Sequence, residues 1–165
     1  MGGRIARNFA LRHPARVQSL KLANTSPGFD ASSPEDVLKF VGERRTLTPE
    51  SMRRLLGSRT GPGAHDALLA SFHALRNDSY LKTLEASVAQ DRAAPLEKIS
   101  VPTLVITGDE DRVYPQELAQ RMARRIAGAE LVVLQGCGHL SNLEQPERFN
   151  AALLDFLSRR SHEQA

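Results

Sequence analysis

The chain has 165 residues, 41% of them hydrophobic and 25% charged, and a formal net charge of +3. These values are typical of a single globular domain and exclude an intrinsically disordered chain. The basic residues are scattered, and few aromatic residues stand among them, as at Arg44, Arg45, Arg53 and Arg54. A solvated helix face is therefore favoured over a nucleic-acid site.

Cysteine content and hydropathy indicate the cellular compartment of the chain. The one cysteine, Cys137, excludes an intramolecular disulfide framework and is compatible with a reducing compartment, so we expect a cytoplasmic protein. We find no apolar run of about 18 residues and no charged leader followed by an apolar segment at the N-terminus. We therefore expect a soluble chain with no membrane contact.

The first predicted elements are a helix and a strand. The helix begins at once and ends before "HP" at His13 and Pro14, because a residue that precedes proline is disfavoured in the α region. Its apolar residues share one face: Ile5, Ala6, Phe9 and Ala10. Residues 17–25, "VQSLKLANT", have strand-like content and are followed by the turn-rich "SPGFD".

Helical patterns follow one another from Ser33 to Pro95. Ser33 with Pro34, and Thr48 with Pro49, each match the cap and the first position of a helix, the second helix extending to Gly57. After "GPG" at 61–63, two more helical patterns cover 64–76 and 79–90. These residues predict an all-helical insert in an α/β protein.

The last third predicts strand, loop, helix, strand, loop and helix. "PTLVITG" and "AELVVLQ" are apolar runs typical of buried strands. "PQELAQRMARRIAG" between them predicts a helix with Gly128 as its C′ glycine. The closing helix, "QPERFNAALLDFL", carries an apolar side formed by Phe149, Ala152, Leu153, Phe156 and Leu157.

Acid and base candidates follow the two C-terminal strands, in "GDED" at 108–111 and "GCGH" at 136–139. Loops at the carboxyl ends of parallel strands face a common crevice. A carboxylate that orients an imidazole, and an imidazole that accepts a proton, are two parts of an acyl-transfer triad. The third part, a serine on a sharp strand-to-helix turn, is missing from the sequence.

Each of these residues also has a plainer interpretation. Asp109, Glu110 and Asp111 could form a solvated acidic loop, and His139 could be a buried, hydrogen-bonded histidine. Cys137 beside His139 could be a nucleophile, but a small packed thiol is favoured. The other histidines have no metal-ligand spacing and are interpreted as surface or insert residues, so we predict no metal and no cofactor: His13, His65, His73 and His162.

Four stretches together resemble the α/β-hydrolase superfamily, and within it the 3-oxoadipate enol-lactonase-like group. They are the "MGG" helix start, "LANTSPGF", "VPTLVITGDEDRVYP" and "GCGHLSNLEQPERFNAALLDFL", and the resemblance extends to about residue 158. It implies the C-terminal part of an α/β-hydrolase fold, with about three parallel strands, flanking helices and a helical cap insert. The implied units are core segments at 1–29 and 95–158, a cap at 30–94 and a tail at 159–165.

The resemblance also implies roles for individual residues. Asp111 is the triad acid, preferred to Asp109 because the family's acid lies three residues after the strand-ending glycine, here Gly108. His139 is the base, and the backbone N–H of Met1 is one oxyanion-hole donor. The G-x-S-x-G turn of the family would place its serine just before Met1.

The expected function follows from these roles. We expect a hydrolase of small carboxylic esters or lactones that uses a Ser-His-Asp triad, with the serine upstream, so that the 165 residues alone are inactive. A start placed at an internal methionine is favoured over a gene fragment and over a genuine short protein. The alternatives are a carbon–carbon bond hydrolase of the same superfamily and a non-catalytic binding or regulatory fragment.

Overall fold

The computed structural model describes residues 2–28, 48–76, 78–80, 82–83, 86 and 94–162. Met1, the helix predicted from Ser33 and most of the helix predicted at 79–90 lie outside these residues. The structure therefore describes residues 2–28 and 95–158 of the two predicted core segments and, of the insert, mainly residues 48–76.

Three parallel strands form one sheet in the order β1 (Leu20–Ala23), β2 (Thr103–Gly108) and β3 (Glu130–Leu134). All six residues of β2 are buried, as its continuous apolar run predicts, because this strand is central. In β3 only Leu134 is buried. The prediction of a second buried strand is wrong, because β3 is an edge strand of this sheet.

Helices α1 (Gly2–Arg12) and α4 (Gln116–Arg125) pack on one face of the sheet. The face predicted for α1 is buried only in part: Ala10 joins the core, whereas Ile5 and Phe9 are 67% and 41% exposed. Arg7 is buried instead, and its guanidinium donates to the carbonyl of Ser26 at 3.0 Å.

The other face of the sheet is covered by α6 (Pro146–His162), which follows the single turn α5 (Ser141–Glu144). Phe156 of α6 is buried against Leu104 and Ile106 of β2, while Val105, which alternates with them, faces the opposite core. This alternation places one helical layer on each side of the sheet. The predicted α/β architecture of three parallel strands with flanking helices is confirmed.

Two short connections differ from their predictions. α4 ends at Arg125, so Gly128 is not its C′ residue; it has a φ of +69° in the turn before β3. Helix α2 (Pro49–Arg53) stops short of Gly57. Its cap is confirmed: the Thr48 hydroxyl accepts the N–H of Ser51, and the Ser51 hydroxyl accepts the N–H of Thr48.

The segment 54–61 connects α2 to α3 (Pro62–His73). It lies beside the carboxyl ends of β2 and β3, where the backbone groups of Leu55 and Arg59 form hydrogen bonds with the backbone of residues 136–139. Among the described helices, none has the length and apolar character to cross a bilayer.

Candidate active site

The loop after β2 holds Asp111, which is only 4% exposed. Its Oδ1 accepts the backbone N–H groups of Val113 and Tyr114 at 2.8 and 2.9 Å. Its Oδ2 accepts the side-chain amide of Asn24, which directly follows β1, at 3.2 Å. Donors from the loop itself and from the neighbouring strand end therefore fix the orientation of the carboxylate.

The loop after β3 brings His139 onto this carboxylate. The imidazole Nδ1 lies 2.9 Å from Oδ2 and 3.1 Å from Oδ1 of Asp111. The ring packs edge-to-face with that of Tyr114, with ring centroids 5.5 Å apart. Among the described residues Nε2 makes no hydrogen bond, which leaves this nitrogen for proton exchange with a reacting group.

The acid keeps its charge despite its burial. Burial on its own would raise the pKa of Asp111, but the hydrogen bond and positive charge of His139, with the N–H of Tyr114 and the Asn24 amide, hold it below its usual range. An ionised Asp111 favours the imidazole tautomer that carries its proton on Nδ1, and it stabilises the imidazolium.

Asp109 does not contact the imidazole and instead binds the backbone of the loop after β3, residues 135–140, which we call the histidine loop. Its Oδ1 accepts the N–H groups of Gly136 and Cys137 at 2.7 and 3.3 Å. Its own N–H donates to the carbonyl of Leu134. This carboxylate therefore joins the loop after β2 to the loop after β3.

Glu144 and Leu55 hold the rest of the histidine loop. The N–H groups of Gly138 and Leu140 donate to the carboxylate of Glu144, each at 3.0 Å, and the N–H of His139 donates to the Leu55 carbonyl at 2.7 Å. With the two amides held by Asp109, all five backbone N–H groups from 136 to 140 have protein acceptors.

Two glycines allow these segments to approach closely. A Cβ on Gly108 would lie 2.0 Å from the carbonyl oxygen of Cys137, and one on Gly138 would lie 2.3 Å from that of Leu55. The obstacle in each case is backbone. Glycine is therefore required at both positions for the loops to meet.

Cys137 is fully buried between these loops. Burial, together with the negative charges of Glu144 and Asp109, raises the pKa of its thiol to about 12. A thiol in this state is neither ionised nor accessible at neutral pH. The structure therefore favours the packed thiol over the cysteine nucleophile.

Asp111 and His139 are brought together as the sequence predicts, whereas Met1 lies outside the described residues. Their catalytic roles stay predictions. Within the described part of the chain, no group of three or more His, Cys, Asp or Glu side chains could hold a metal ion.

Sequence reasoning missed Asn24 and Glu144, although both lie inside the quoted motifs. Asn24 has a φ of +44°, a conformation uncommon for a residue other than glycine. It donates to both Asp111 and the Gly138 carbonyl, and it accepts the hydroxyl of Ser141. Its place directly after a strand was the available signal.

Comparison with known proteins shows the family of the chain. The model of the Alpha/beta hydrolase family matches residues 1–152. A 2-hydroxy-6-oxononadienedioate/2-hydroxy-6-oxononatrienedioate hydrolase of Klebsiella pneumoniae is 32% identical over 174 residues, covering 96% of this chain and 60% of the relative. The chain thus spans about 60% of the length of that relative.

Two solved structures share the fold. A thermophilic esterase from Thermogutta terrifontis has a TM-score of 0.81 at 27% identity, with 96% of this chain and 62% of that chain covered. The enol-lactonase from Burkholderia xenovorans LB400 has a TM-score of 0.78 at 27% identity, with 96% and 63% covered. The chain belongs to the Alpha/beta hydrolase family.

Proposed function

We propose that this chain carries the acid and the base of a Ser-His-Asp triad that hydrolyses a small carboxylic ester or lactone. The observation that carries the proposal is the 2.9 Å contact between His139 Nδ1 and the buried Asp111 carboxylate. A carboxylate held in this way orients the ring and stabilises the imidazolium formed in the reaction. Solved relatives named as an esterase and an enol-lactonase support this substrate class.

In the proposed reaction a serine that precedes Met1 in the whole protein attacks the substrate carbonyl. His139 Nε2 takes the serine proton, and the backbone N–H of Met1 donates to the oxyanion. The imidazolium then gives its proton to the leaving alkoxide, and a water molecule, deprotonated by the same nitrogen, releases the acid. Asp111 remains ionised throughout and holds Nδ1.

Hydrolysis of a carbon–carbon bond beside a ketone is a second candidate. It is favoured by the Klebsiella relative, whose name specifies a 6-oxo dienedioate substrate. The same acid and base serve both reactions, because serine attack on a carbonyl begins each of them. The difference lies in the leaving group, which is an alkoxide in one case and, in the other, a carbon that has to be protonated.

The test compares kcat/KM of the whole protein on an aryl acetate, a small enol-lactone and 2-hydroxy-6-oxononadienedioate. We expect the ester or lactone to be preferred, and His139→Ala to lose nearly all activity, since this variant removes the imidazole that contacts the buried Asp111 carboxylate. His13→Ala is the matched control, because this exposed histidine lies at the end of α1.

Each other outcome has a definite meaning. A preference for the dienedioate assigns the carbon–carbon reaction. Full activity of His139→Ala refutes the triad. A folded whole protein that turns over none of the three substrates favours the binding fragment. Residues 1–165 alone should not hydrolyse the aryl acetate above a buffer control. If they do hydrolyse it, and Cys137→Ser abolishes that hydrolysis, Cys137 is the nucleophile.

A further inference from the structure

The Glu144 carboxylate lies at the end of α5 and is almost fully buried, the residue being 6% exposed. Oε1 accepts the N–H of Leu140, and Oε2 accepts the N–H of Gly138, each at 3.0 Å. These two amides flank His139. One side chain therefore fixes the backbone immediately before and immediately after the proposed base.

The same carboxylate also binds a segment far away in sequence. Oε2 accepts the N–H of Gly57 at 2.6 Å and the hydroxyl of Thr60. We call residues 55–60 the bracing turn. Four hydrogen-bond donors thus share a buried carboxylate, and such donors offset the cost of taking the charge out of water.

The bracing turn contacts the histidine loop through its backbone. The Leu55 carbonyl accepts the N–H of His139 at 2.7 Å, and the N–H of Arg59 donates to the Gly136 carbonyl at 2.9 Å. A Cβ on Gly57 would lie 2.4 Å from the Gly136 carbonyl oxygen, so only glycine allows this approach. The Glu144 carboxylate accepts donors from both the turn and the loop and so joins them.

We propose that Glu144 is a positioning residue for His139: its carboxylate holds residues 138–140 against the bracing turn and thereby keeps the imidazole on Asp111. The proposal rests on the proposed function, because it assigns His139 as the base. Proton transfer depends on placement, and a displacement of about 1 Å costs on the order of 10² in rate. Glu144 itself does not touch the reacting atoms.

The arrangement requires a carboxylate rather than an amide. In Glu144→Gln one of the two oxygens becomes an NH₂ group, which has to face either the Leu140 N–H or the three donors now bound to Oε2. We expect kcat to fall roughly 10–100-fold, with KM within about twofold, because placement of the base is affected and substrate contacts are not.

The experiment uses the whole protein and two independent readouts. Steady-state kinetics on the preferred substrate give kcat and KM. NMR follows the resonance of the His139 Nδ1–H proton and the hydrogen exchange of the amides at 138 and 140. In Glu144→Gln we expect the amide that faces the new NH₂ group, at 138 or at 140, and the Nδ1 proton to exchange faster than in the wild type. Glu147→Gln, the same change at an exposed position of α6, should alter none of these values.

Substitutions of Thr60 test the hydrogen bond that the bracing turn donates to Glu144. They also keep the proposal testable if Glu144→Gln fails to fold. Thr60→Val removes one donor to Oε2 and should speed exchange at Gly138 but not at Gly136, which Asp109 holds. Thr60→Ser keeps a hydroxyl and should restore the slow exchange.

The proposal is overturned by a folded Glu144→Gln protein with unchanged kcat, or with reduced kcat but an unchanged Nδ1–H resonance. Unchanged exchange at Gly138 in Thr60→Val also overturns it. Absence of turnover in the wild type would refute the proposed function alone. The NMR measurements would still show whether Glu144 holds His139.

Discussion

Replacement of Asp111 by asparagine changes one atom of the carboxylate, and its hydrogen-bond partners decide the outcome. Oδ1 accepts two backbone N–H groups and lies 3.1 Å from His139 Nδ1, whereas Oδ2 lies 2.9 Å from Nδ1 and accepts the Asn24 amide. The amide oxygen of the variant therefore takes the Oδ1 position, since the reverse orientation would leave both backbone donors facing an NH₂ group. The new NH₂ group then faces the imidazole and the Asn24 amide, which loses this acceptor but keeps the Gly138 carbonyl.

An NH₂ group at this place donates to Nδ1 of His139, so the proton of the neutral ring moves to Nε2. A ring with a protonated Nε2 cannot accept the proton of a nucleophile. We expect turnover to fall on the order of 10⁴, equivalent to about 5.5 kcal/mol in activation free energy. The assay is kcat of the whole protein on one ester, with circular dichroism to verify that the variant is folded.

Asp109→Asn is the matched control in the same loop. Both of its backbone hydrogen bonds fall on Oδ1, and an asparagine oxygen can keep both, so we expect a loss of less than about tenfold. If Asp109→Asn, and not Asp111→Asn, shows the large loss of kcat, Asp109 is the acid and the assignment of Asp111 is wrong. If neither variant is impaired, the triad assignment of this loop fails.

Gly138→Ala should lower the free energy of unfolding, measured in urea, by more than about 2 kcal/mol, because its Cβ would clash with the Leu55 carbonyl. Gly63→Ala, which has open space around it, should change that free energy by no more than about 1 kcal/mol. Equal effects of the two substitutions would refute the close approach of Gly138 to Leu55. Cys137 should resist iodoacetamide in the native protein and react once it is unfolded, as intact mass would show, and rapid native alkylation would contradict its burial. The lowered pKa of Asp111 stabilises the fold above its unfolded pKa of about 3.9, and this contribution is lost as pH falls through the folded pKa. The stability difference between wild type and Asp111→Asn should therefore shrink in urea titrations below about pH 4, and a difference that grows there would contradict the sign.

The sequence was informative where one segment decides its own structure. The run at β2 is apolar without interruption, and the strand is buried on both faces. The run at β3 is nearly as apolar, yet four of its five residues are only partly buried. Whether a strand is central or at an edge depends on its neighbours in space, which its own residues do not specify.

The same limit explains which site residues were found. The resemblance to the α/β-hydrolase superfamily implied Asp111 and His139 through short local motifs, by the distance from Gly108 in one case and by "GCGH" in the other. The contact from Asn24 to Asp111 spans 87 residues, and so does the contact from Gly57 to Glu144. No local period or motif relates residues so far apart, so these contacts became visible only in the folded chain.

The acidic run 109–111 shows how burial and contacts change the meaning of a sequence pattern. Three adjacent carboxylates suggest a solvated loop, but each has a different partner: Asp109 binds the histidine loop, Glu110 binds the backbone and hydroxyl of Ser58, and Asp111 contacts the imidazole. The placement of Asp111 against His139 therefore depends on contacts among the loop after β2, the histidine loop and the bracing turn, rather than on β2 or β3 alone. Since residues that share a network couple, substitutions in the run and in the bracing turn should be non-additive in double-mutant cycles, unlike pairs of changes at distant sites.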